Sequence, residues 1–367
     1  MKYIFLKIST ILLNIFSSVF MLFPITKKIT ILSRISNTKT LDIEILEQQI
    51  NKKFPDYKIV ILTDKLGKTV KERFLYVLKT PKQIFNIYTS KIVLCDSYIP
   101  VVSLIFKKKK VKIIQIWHAM GAYKKFGYSI IDKYEGADKA ISKIMKMHKN
   151  YDYILTTSNY SKQKFKEAFN YSDDKLKVSI LPRYNYLKNN KEKLKKEILQ
   201  DYKLLNNGKK NVIYAPTFRK SKRNYFDKII KNINYKKYNL IVKKHGGAEL
   251  IYIDNKLVYK EYNKYSIKLL AVSDILITDY SSIIFDSMAF DINIFFYIPD
   301  YDKYKKERAL YDEIFLELGN YYTNIEELLN NLDLQKNLNY NEIKNKYIDK
   351  SAIETIDFVI KIIKGEF

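Results

Sequence analysis

The chain has 367 residues, of which 47% are hydrophobic and 29% charged, so it is not a disordered chain and is long enough for two domains. Its single cysteine, Cys95, excludes an internal disulfide and indicates a reducing compartment. Three histidines do not combine with that cysteine in a zinc-binding spacing, so we expect no structural metal. The formal net charge of +27 predicts a polyanionic partner: a nucleic acid, an anionic lipid or a phosphate-rich polymer.

The first segment, residues 1–28, is strongly apolar, and its basic flank contains Lys27, Lys28 and Arg34. It is just long enough to span a membrane, but its polar residues fall close to one helical face. That pattern is typical of a helix in the membrane interface, with the flanking lysines on anionic headgroups. We therefore expect membrane contact without a span. A buried helix of the first domain is the alternative.

The next region, residues 40–190, alternates between short apolar runs and helical patterns. The runs expected to form buried strands are 58–62, 91–96, 112–118, 153–158 and 178–181. This alternation predicts a Rossmann-like α/β domain with a parallel sheet.

The second half, residues 191–367, repeats the pattern after a charged helical connector at 188–210. Its expected strands are 211–217, 240–245, 275–278 and 294–298, and amphipathic helices follow from Asn324. Two such domains leave a cleft at the carboxyl ends of their strands, where open α/β sheets bind ligands.

Two of the three histidines end predicted strands. His118 ends the third strand of the first domain, and His245 ends the second strand of the second domain. A lone histidine in such a position is more often structural, but a pair on separate domains, each close to a glycine, favours a function. The third, His148, lies on a basic helical pattern and is expected to be solvated.

A polar turn follows the predicted strand 275–278. Asp279, Ser281 and Ser282 precede a helical pattern, and hydroxyls with free N–H groups at a helix start accommodate a phosphate. The alternative is that one serine only caps the helix. Further on, Asp300 and Asp302 form an Asp-x-Asp pair, which we interpret as a turn and not as a metal site because Asp and Pro favour turns.

Five sequence blocks carry a family resemblance. They are IQIWHAMGAYKKFG, YDYILTTSNYSKQKFKEAF, NVIYAPTFR, IVKKHG and ITDYSSIIFDSMAFDINIFFYIPDYDKY. Together they resemble the CDP-glycerol glycerophosphotransferases that build teichoic acids. The match extends over roughly residues 90–310 in the same order, which makes it more specific than any one block.

The resemblance implies a GT-B-like α/β fold of two Rossmann-type domains, peripheral on the cytoplasmic face of the cell membrane. The implied reaction is attack by a hydroxyl of a lipid-linked saccharide acceptor on the phosphorus that bears the glycerol of CDP-glycerol, with release of CMP. No cofactor and no nucleic-acid partner are expected. An anionic membrane surface is the remaining partner.

The resemblance also implies roles for individual residues. His118 matches the general base, and His245 matches a histidine that contacts the diphosphate or assists the leaving group. The expected substrate-binding residues are Gly121, Thr217, Arg219, Asp279, Ser281, Ser282 and Arg308. Phosphoryl transfer asks a protein mainly for positioning and charge stabilisation, which such groups supply.

Departures from the family pattern, such as Phe218, Gly246 and Ala309, leave ribitol phosphate or another alditol phosphate open as the donor group. One alternative function is a GT-B glycosyltransferase that uses a nucleotide sugar, since fold does not decide function. Another is a non-enzymatic basic protein that binds nucleic acid or lipid. The lysine run 107–110 either faces headgroups or forms a solvated loop.

Overall fold

The computed structural model describes residues 2–67, 69–217, 225–244, 249–261, 264–334 and 337–366. The strands are β1 Lys28–Ser33, β2 Lys58–Thr63, β3 Ile92–Cys95, β4 Lys112–Gln115, β5 Tyr153–Thr156, β6 Leu176–Ile180, β7 Lys210–Tyr214, β8 Tyr238–Lys243, β9 Glu249–Ile253, β10 Lys256–Glu261, β11 Ile275–Thr278, β12 Asn293–Tyr297, β13 Tyr321–Tyr322 and β14 Ile353–Glu354. The helices are α1 Lys2–Ser18, α2 Leu41–Lys53, α3 Val70–Leu78, α4 Thr80–Thr89, α5 Pro100–Leu104, α6 Lys139–Ile144, α7 Asn159–Phe169, α8 Pro182–Asn189, α9 Lys191–Asp201, α10 Phe226–Asn232, α11 Ile283–Ser287, α12 Tyr301–Glu307, α13 Ile314–Leu318, α14 Ile325–Asn330, α15 Tyr340–Tyr347 and α16 Thr355–Lys364. Each predicted strand overlaps an observed one.

The chain divides into two compact units. Unit 1 comprises Met1–Met120, Phe126–Arg183 and Asp349–Phe367, and unit 2 comprises Gly121–Lys125 and Tyr184–Ile348. The last residues of the expected second domain, 191–367, thus fall in unit 1. The reason is the apolar face of α16: Ile356, Val359 and Ile362 are buried in the core of unit 1, so the end of the chain returns to the first sheet.

Unit 1 is built on a seven-stranded parallel sheet with the order β14-β6-β5-β4-β3-β1-β2. All six residues of β1 are buried, and Ile31 pairs with Ile61 on one side and Leu94 on the other. The strand order reverses between β1 and β3. In open α/β sheets, the crevice at such a reversal is the usual ligand site.

Strand β1 was not predicted, because its lysines were assigned to the flank of the apolar segment. Lys28 does not face headgroups: it is 5% exposed, and its Nζ donates hydrogen bonds to Asn86 Oδ1 at 3.0 Å and to Thr89 Oγ1. Burial lowers the pKa of this lysine. The prediction that Lys28 belongs to the basic flank of a membrane helix is therefore wrong, because Lys28 starts a central strand.

The N-terminal helix α1 contacts α5 and α6 of the same unit. Among the described residues, one helix, Tyr3–Leu22, is long and apolar enough to cross a membrane, and 11% of that stretch is buried. Its exposed apolar side chains include Ile4, Phe5, Ile8, Ile11, Leu12 and Ile15. An apolar N-terminal helix is thus present.

Unit 2 is built on a second seven-stranded sheet with the order β10-β9-β8-β7-β11-β12-β13. Strands β8, β9 and β10 pair antiparallel at one edge, and the other pairs are parallel. Here the order of the parallel strands reverses between β7 and β11. Both sheets therefore place a reversal where the sequence places polar residues.

His148 was expected to be solvated, and that expectation is wrong. It is 3% exposed, in a turn after α6 with φ 61°, and its ring packs against Phe169 at 4.5 Å and Tyr98 at 5.1 Å between centroids. Burial lowers its pKa to about 3, so the ring is neutral. The neighbouring lysines suggest a solvated helix, but the turn directs the His148 side chain inward.

Candidate active site

The carboxyl end of β4 turns sharply at Trp117, whose φ is 56°. This conformation costs a bulky residue roughly 1–2 kcal/mol. The Trp117 ring stacks on Phe126 at 4.8 Å, and the backbone N–H of Trp117 donates to Gln115 Oε1 at 3.0 Å. These contacts hold the turn, and the next residue, His118, is exposed to solvent.

The exposed His118 has one ring nitrogen fixed by the backbone. Its Nδ1 lies 2.9 Å from the carbonyl oxygen of Asp96, and its ring lies 4.3 Å from that of Trp117. A carbonyl can only accept, so Nδ1 carries the hydrogen and Nε2 carries the basic lone pair. This tautomer suits a general base.

Asp96, which holds His118 through its backbone, also carries a buried carboxyl that sequence reasoning missed. It directly follows β3 and is 2% exposed. Burial raises the pKa of this carboxyl to about 6; the Ser33 and Ser97 hydroxyls are close enough to lower it, but neither makes a hydrogen bond of normal geometry to it. The sequence signal that could have revealed this carboxyl is an acidic residue at the end of an apolar run.

In unit 2 the corresponding edge is organised by Asp279, which follows β11 and is 2% exposed. Its Oδ1 accepts the backbone N–H of Thr217, after β7, at 2.8 Å and that of Tyr280 at 2.6 Å. The carboxylate therefore joins the two strand ends that flank the reversal. These hydrogen bonds support the backbone of the site, and contact of Asp279 with substrate stays a prediction.

The two serines of this turn are half-buried and lie before α11, a helix of five residues. Ser282 makes no side-chain capping bond, whereas Ser281 Oγ accepts the N–H of Ile283 at 3.4 Å. Capping therefore does not account for Ser282.

Gly121 belongs to unit 2, where it is buried with φ 63°. A Cβ at this position would lie 2.8 Å from the Phe285 ring and 2.9 Å from that of Tyr347. Two residues on, the Tyr123 hydroxyl donates to the carbonyl of Asp279 at 3.5 Å. Close packing thus explains this glycine, and its contact with substrate stays a prediction.

The Asp-x-Asp pair lies at a helix start: Asp300 precedes α12, whereas Asp302 lies within it, so the expected turn is wrong at Asp302. The Tyr280 ring stacks on Tyr304 at 4.0 Å, and its hydroxyl donates to Asp300 Oδ1 at 3.3 Å. Asp302 is exposed in the first turn of α12, and the half-buried Arg308 follows the end of that helix. The Asp300 carboxylate therefore accepts a hydrogen bond within the protein.

Two expected site residues, Arg219 and His245, lie outside the described residues. Beside the latter, β8 ends at Lys243, whose Nζ donates to Ser266 Oγ at 3.1 Å. Burial lowers the pKa of this lysine, while the charge of Glu249 on the neighbouring strand raises it. Sequence reasoning did not single out Lys243.

Two α/β units, each with polar residues at the strand reversal of its sheet, are typical of the GT-B-like fold class. The family model described as CDP-Glycerol:Poly(glycerophosphate) glycerophosphotransferase matches residues 15–353, and the chain belongs to this family. That membership confirms the enzyme class expected from the five sequence blocks and selects it from the three predicted functions.

Characterised relatives support the same enzyme class. The chain is 29% identical over 337 residues to the teichoic acid glycerol-phosphate primase of Bacillus subtilis (strain 168), covering 84% of this chain and 86% of the relative. It is 30% identical to the teichoic acid ribitol-phosphate primase of Bacillus spizizenii, covering 71% and 70%. The solved structure of the wall teichoic acid polymerase TagF superposes with a TM-score of 0.69 at 20% identity, covering 100% of this chain and 98% of that one, which confirms the fold.

Proposed function

We propose that the chain transfers an alditol phosphate from a CDP-alditol to a hydroxyl of a lipid-linked teichoic acid precursor, with His118 as general base. The acceptor oxygen forms a bond to the phosphorus that bears the alditol. The bond from that phosphorus to the CMP oxygen breaks, and CMP leaves with its electron pair. The acceptor proton passes to Nε2 of His118.

The observation that carries this proposal is the state of His118. Its Nδ1 is held 2.9 Å from the Asp96 carbonyl, which fixes the tautomer, and its side chain is exposed. An imidazole of this kind removes a hydroxyl proton near neutral pH, a contribution worth about 10²- to 10⁴-fold in rate.

The donor phosphates are assigned to unit 2. Thr217, Ser281, Ser282 and Arg308 supply hydroxyl, N–H and guanidinium donors around the turn that Asp279 braces. Such donors stabilise charge that develops on the phosphoryl oxygens and on the leaving CMP. Direct contacts from Arg219 and His245 stay predictions, as does the meeting of the two histidines in one cleft.

The test measures CMP release by the purified chain with a lipid-linked disaccharide acceptor. CDP-glycerol, CDP-ribitol and a UDP-sugar are supplied in parallel, each with and without a chelator. We expect turnover of a CDP-alditol that persists with the chelator and falls at least 100-fold in His118→Gln. Turnover of the UDP-sugar alone, or His118→Gln at more than half the wild-type rate with unchanged circular dichroism, contradicts the proposal.

We further propose that the chain is peripheral on an anionic membrane surface, through α1 and the lysines beside it. Lys108, Lys109 and Lys110 line a cavity of about 580 Å³ with Ile25 and Lys91. Lys107, by contrast, pairs with Asp152 at 2.6 Å. Basic side chains beside an exposed apolar helix are typical of interfacial binding.

Sedimentation with anionic and neutral vesicles tests this placement. Leu12→Glu and Ile15→Glu alter side chains that are 60% and 64% exposed on α1, and Leu257→Glu alters an exposed leucine of β10 as the matched control. We expect the α1 variants, and not the control, to lose vesicle binding. Equal binding by all variants, or tight DNA binding without vesicle binding, contradicts it.

A further inference from the structure

The carboxyl end of β1 carries an arginine that the proposed mechanism does not use. Arg34 directly follows this strand, and its backbone N–H donates to Ser97 Oγ, after β3, at 3.1 Å. The two strands flank the reversal of strand order in unit 1. Arg34 therefore lies at the crevice where open α/β sheets bind ligands.

The guanidinium of Arg34 is available to an anion. It is half-exposed, lies 5.3 Å above the centre of the Tyr98 ring, and makes no ion pair among the described residues. Unit 1 has two other arginines: Arg183 is buried in an ion pair with Asp42, and Arg73 is exposed on α3. Neither offers the same combination of position and charge.

Arg34 and His118 are anchored to the same dipeptide. The Asp96 carbonyl holds His118 Nδ1 at 2.9 Å, the Ser97 hydroxyl holds the Arg34 N–H, and Gln115 Nε2 donates to the Ser97 carbonyl at 3.0 Å. Because β3 lies between β1 and β4, the two backbones are about 10 Å apart. A ligand at the base is therefore within reach of the guanidinium.

Aromatic rings connect these two side chains. The Tyr98 ring lies 5.1 Å from that of His148, which lies 6.3 Å from that of Trp117, and Trp117 lies 4.3 Å from His118. Tyr98 and Trp117 are half-exposed, whereas His148 is buried beneath them. This gives a rigid amphipathic surface with a cation at one end and a base at the other.

We propose that Arg34 binds a phosphate of the acceptor and thereby positions the acceptor hydroxyl at His118. The inference rests on the proposed function in one respect, the action of His118 on the acceptor. A guanidinium binds phosphate through two parallel hydrogen bonds. The donor is the other source of phosphate, and the location of Arg34 on the unit that carries the base favours the acceptor.

Binding without turnover provides the first test. Trp117 is the chain's only tryptophan, so its fluorescence reports on this surface. The wild type, Arg34→Gln, Arg34→Lys and the control Arg73→Gln are titrated separately with a lipid-linked disaccharide diphosphate and with CDP-glycerol. We expect Arg34→Gln to weaken acceptor binding about 10- to 100-fold, Arg34→Lys to be intermediate, and Arg73→Gln to match the wild type.

Steady-state kinetics provide the second test. In Arg34→Gln the KM for the acceptor should rise while the KM for CDP-glycerol stays unchanged. An unchanged acceptor Kd in a variant with the wild-type melting temperature overturns the inference, and so does a rise in the donor Kd alone. If Arg34→Gln has a lower melting temperature than the wild type, the acceptor Kd of Arg34→Lys, which keeps the charge, is compared with the wild type instead.

The two proposals fail separately. If the acceptor binds through Arg34 but no CDP-alditol is turned over, the proposed function is refuted, and the binding of the acceptor phosphate by Arg34 stands. If transfer occurs and depends on His118 but not on Arg34, only this inference is refuted.

Discussion

The two strand reversals of this chain use their polar residues in opposite ways. In unit 1 the backbone holds a side chain: the Asp96 carbonyl fixes His118, which is exposed. In unit 2 a side chain holds the backbone: the buried Asp279 carboxylate accepts the N–H groups of Thr217 and Tyr280. In the proposed mechanism the first arrangement presents a base, and the second presents a preorganised set of donors.

This difference teaches that residues at equivalent places in two similar sheets do different work. A histidine that must accept a proton has to be exposed with a fixed tautomer. A turn that must hold phosphate has to keep its shape, and a buried carboxylate braces it. Variants of the two edges should therefore fail in different ways.

The largest effect is expected at Asp279. Asp279→Ala leaves two backbone N–H groups without their acceptor, and each bond to a charged group is worth about 1.5–3 kcal/mol. We expect a loss of about 3–5 kcal/mol in the free energy of unfolding and weaker binding of CDP-alditol, measured by urea titration and calorimetry.

Asp279→Asn is the control, because one amide oxygen can still accept. Its loss should be less than half as large. Equal losses in the two variants would mean that the negative charge, and not the acceptor, holds the turn.

The next effect is expected at Gly121. Gly121→Ala places a Cβ 2.8 Å from the Phe285 ring at a positive φ, so overpacking and strain together should cost about 2–4 kcal/mol. Gly208 also has a positive φ, of 84°, but nothing within 4 Å of its Cβ position, so Gly208→Ala should cost only about 1 kcal/mol. Thermal unfolding of the two variants measures these losses. Equal shifts in melting temperature would refute close packing as the role of Gly121.

At the unit 1 edge, Asp96→Asn should stabilise the protein. The folded pKa of Asp96, about 6, lies above the ordinary 3.8, so the folded state binds more protons between about pH 4 and 6. The free energy of unfolding therefore falls as pH rises through that window, by up to about 3 kcal/mol. Asp96→Asn should therefore have a higher free energy of unfolding than the wild type at pH 7.5, and this gain should vanish at pH 4. A gain that is independent of pH would contradict the raised pKa of Asp96 as its cause.

The smallest effect concerns the buried His148, whose pKa of about 3 lies below the ordinary 6.5. The unfolded state binds more protons between these values, so stability is lost as pH falls below about 6.5. Asparagine tolerates the positive φ and does not titrate. From pH 7.5 to 5.0, His148→Asn should lose about 2 kcal/mol less than the wild type. Identical pH profiles would show that His148 is solvated.

The sequence by itself determined the α/β class, the strands that precede His118 and Asp279, and the family, because apolar runs and ordered motifs are local signals. It did not reveal β1, since lysines beside an apolar segment look like a membrane flank until Lys28 finds buried acceptors. For the same reason Arg34 was assigned to that flank and not to a ligand site.

Only the tertiary structure decided which polar residues face inward. Asp279 and Gly121 are both buried, because elements distant in sequence pack around them. The return of α16 to unit 1 and the burial of His148 have the same origin. Burial depends on what packs against a residue from elsewhere in the chain, and a local pattern does not contain that information.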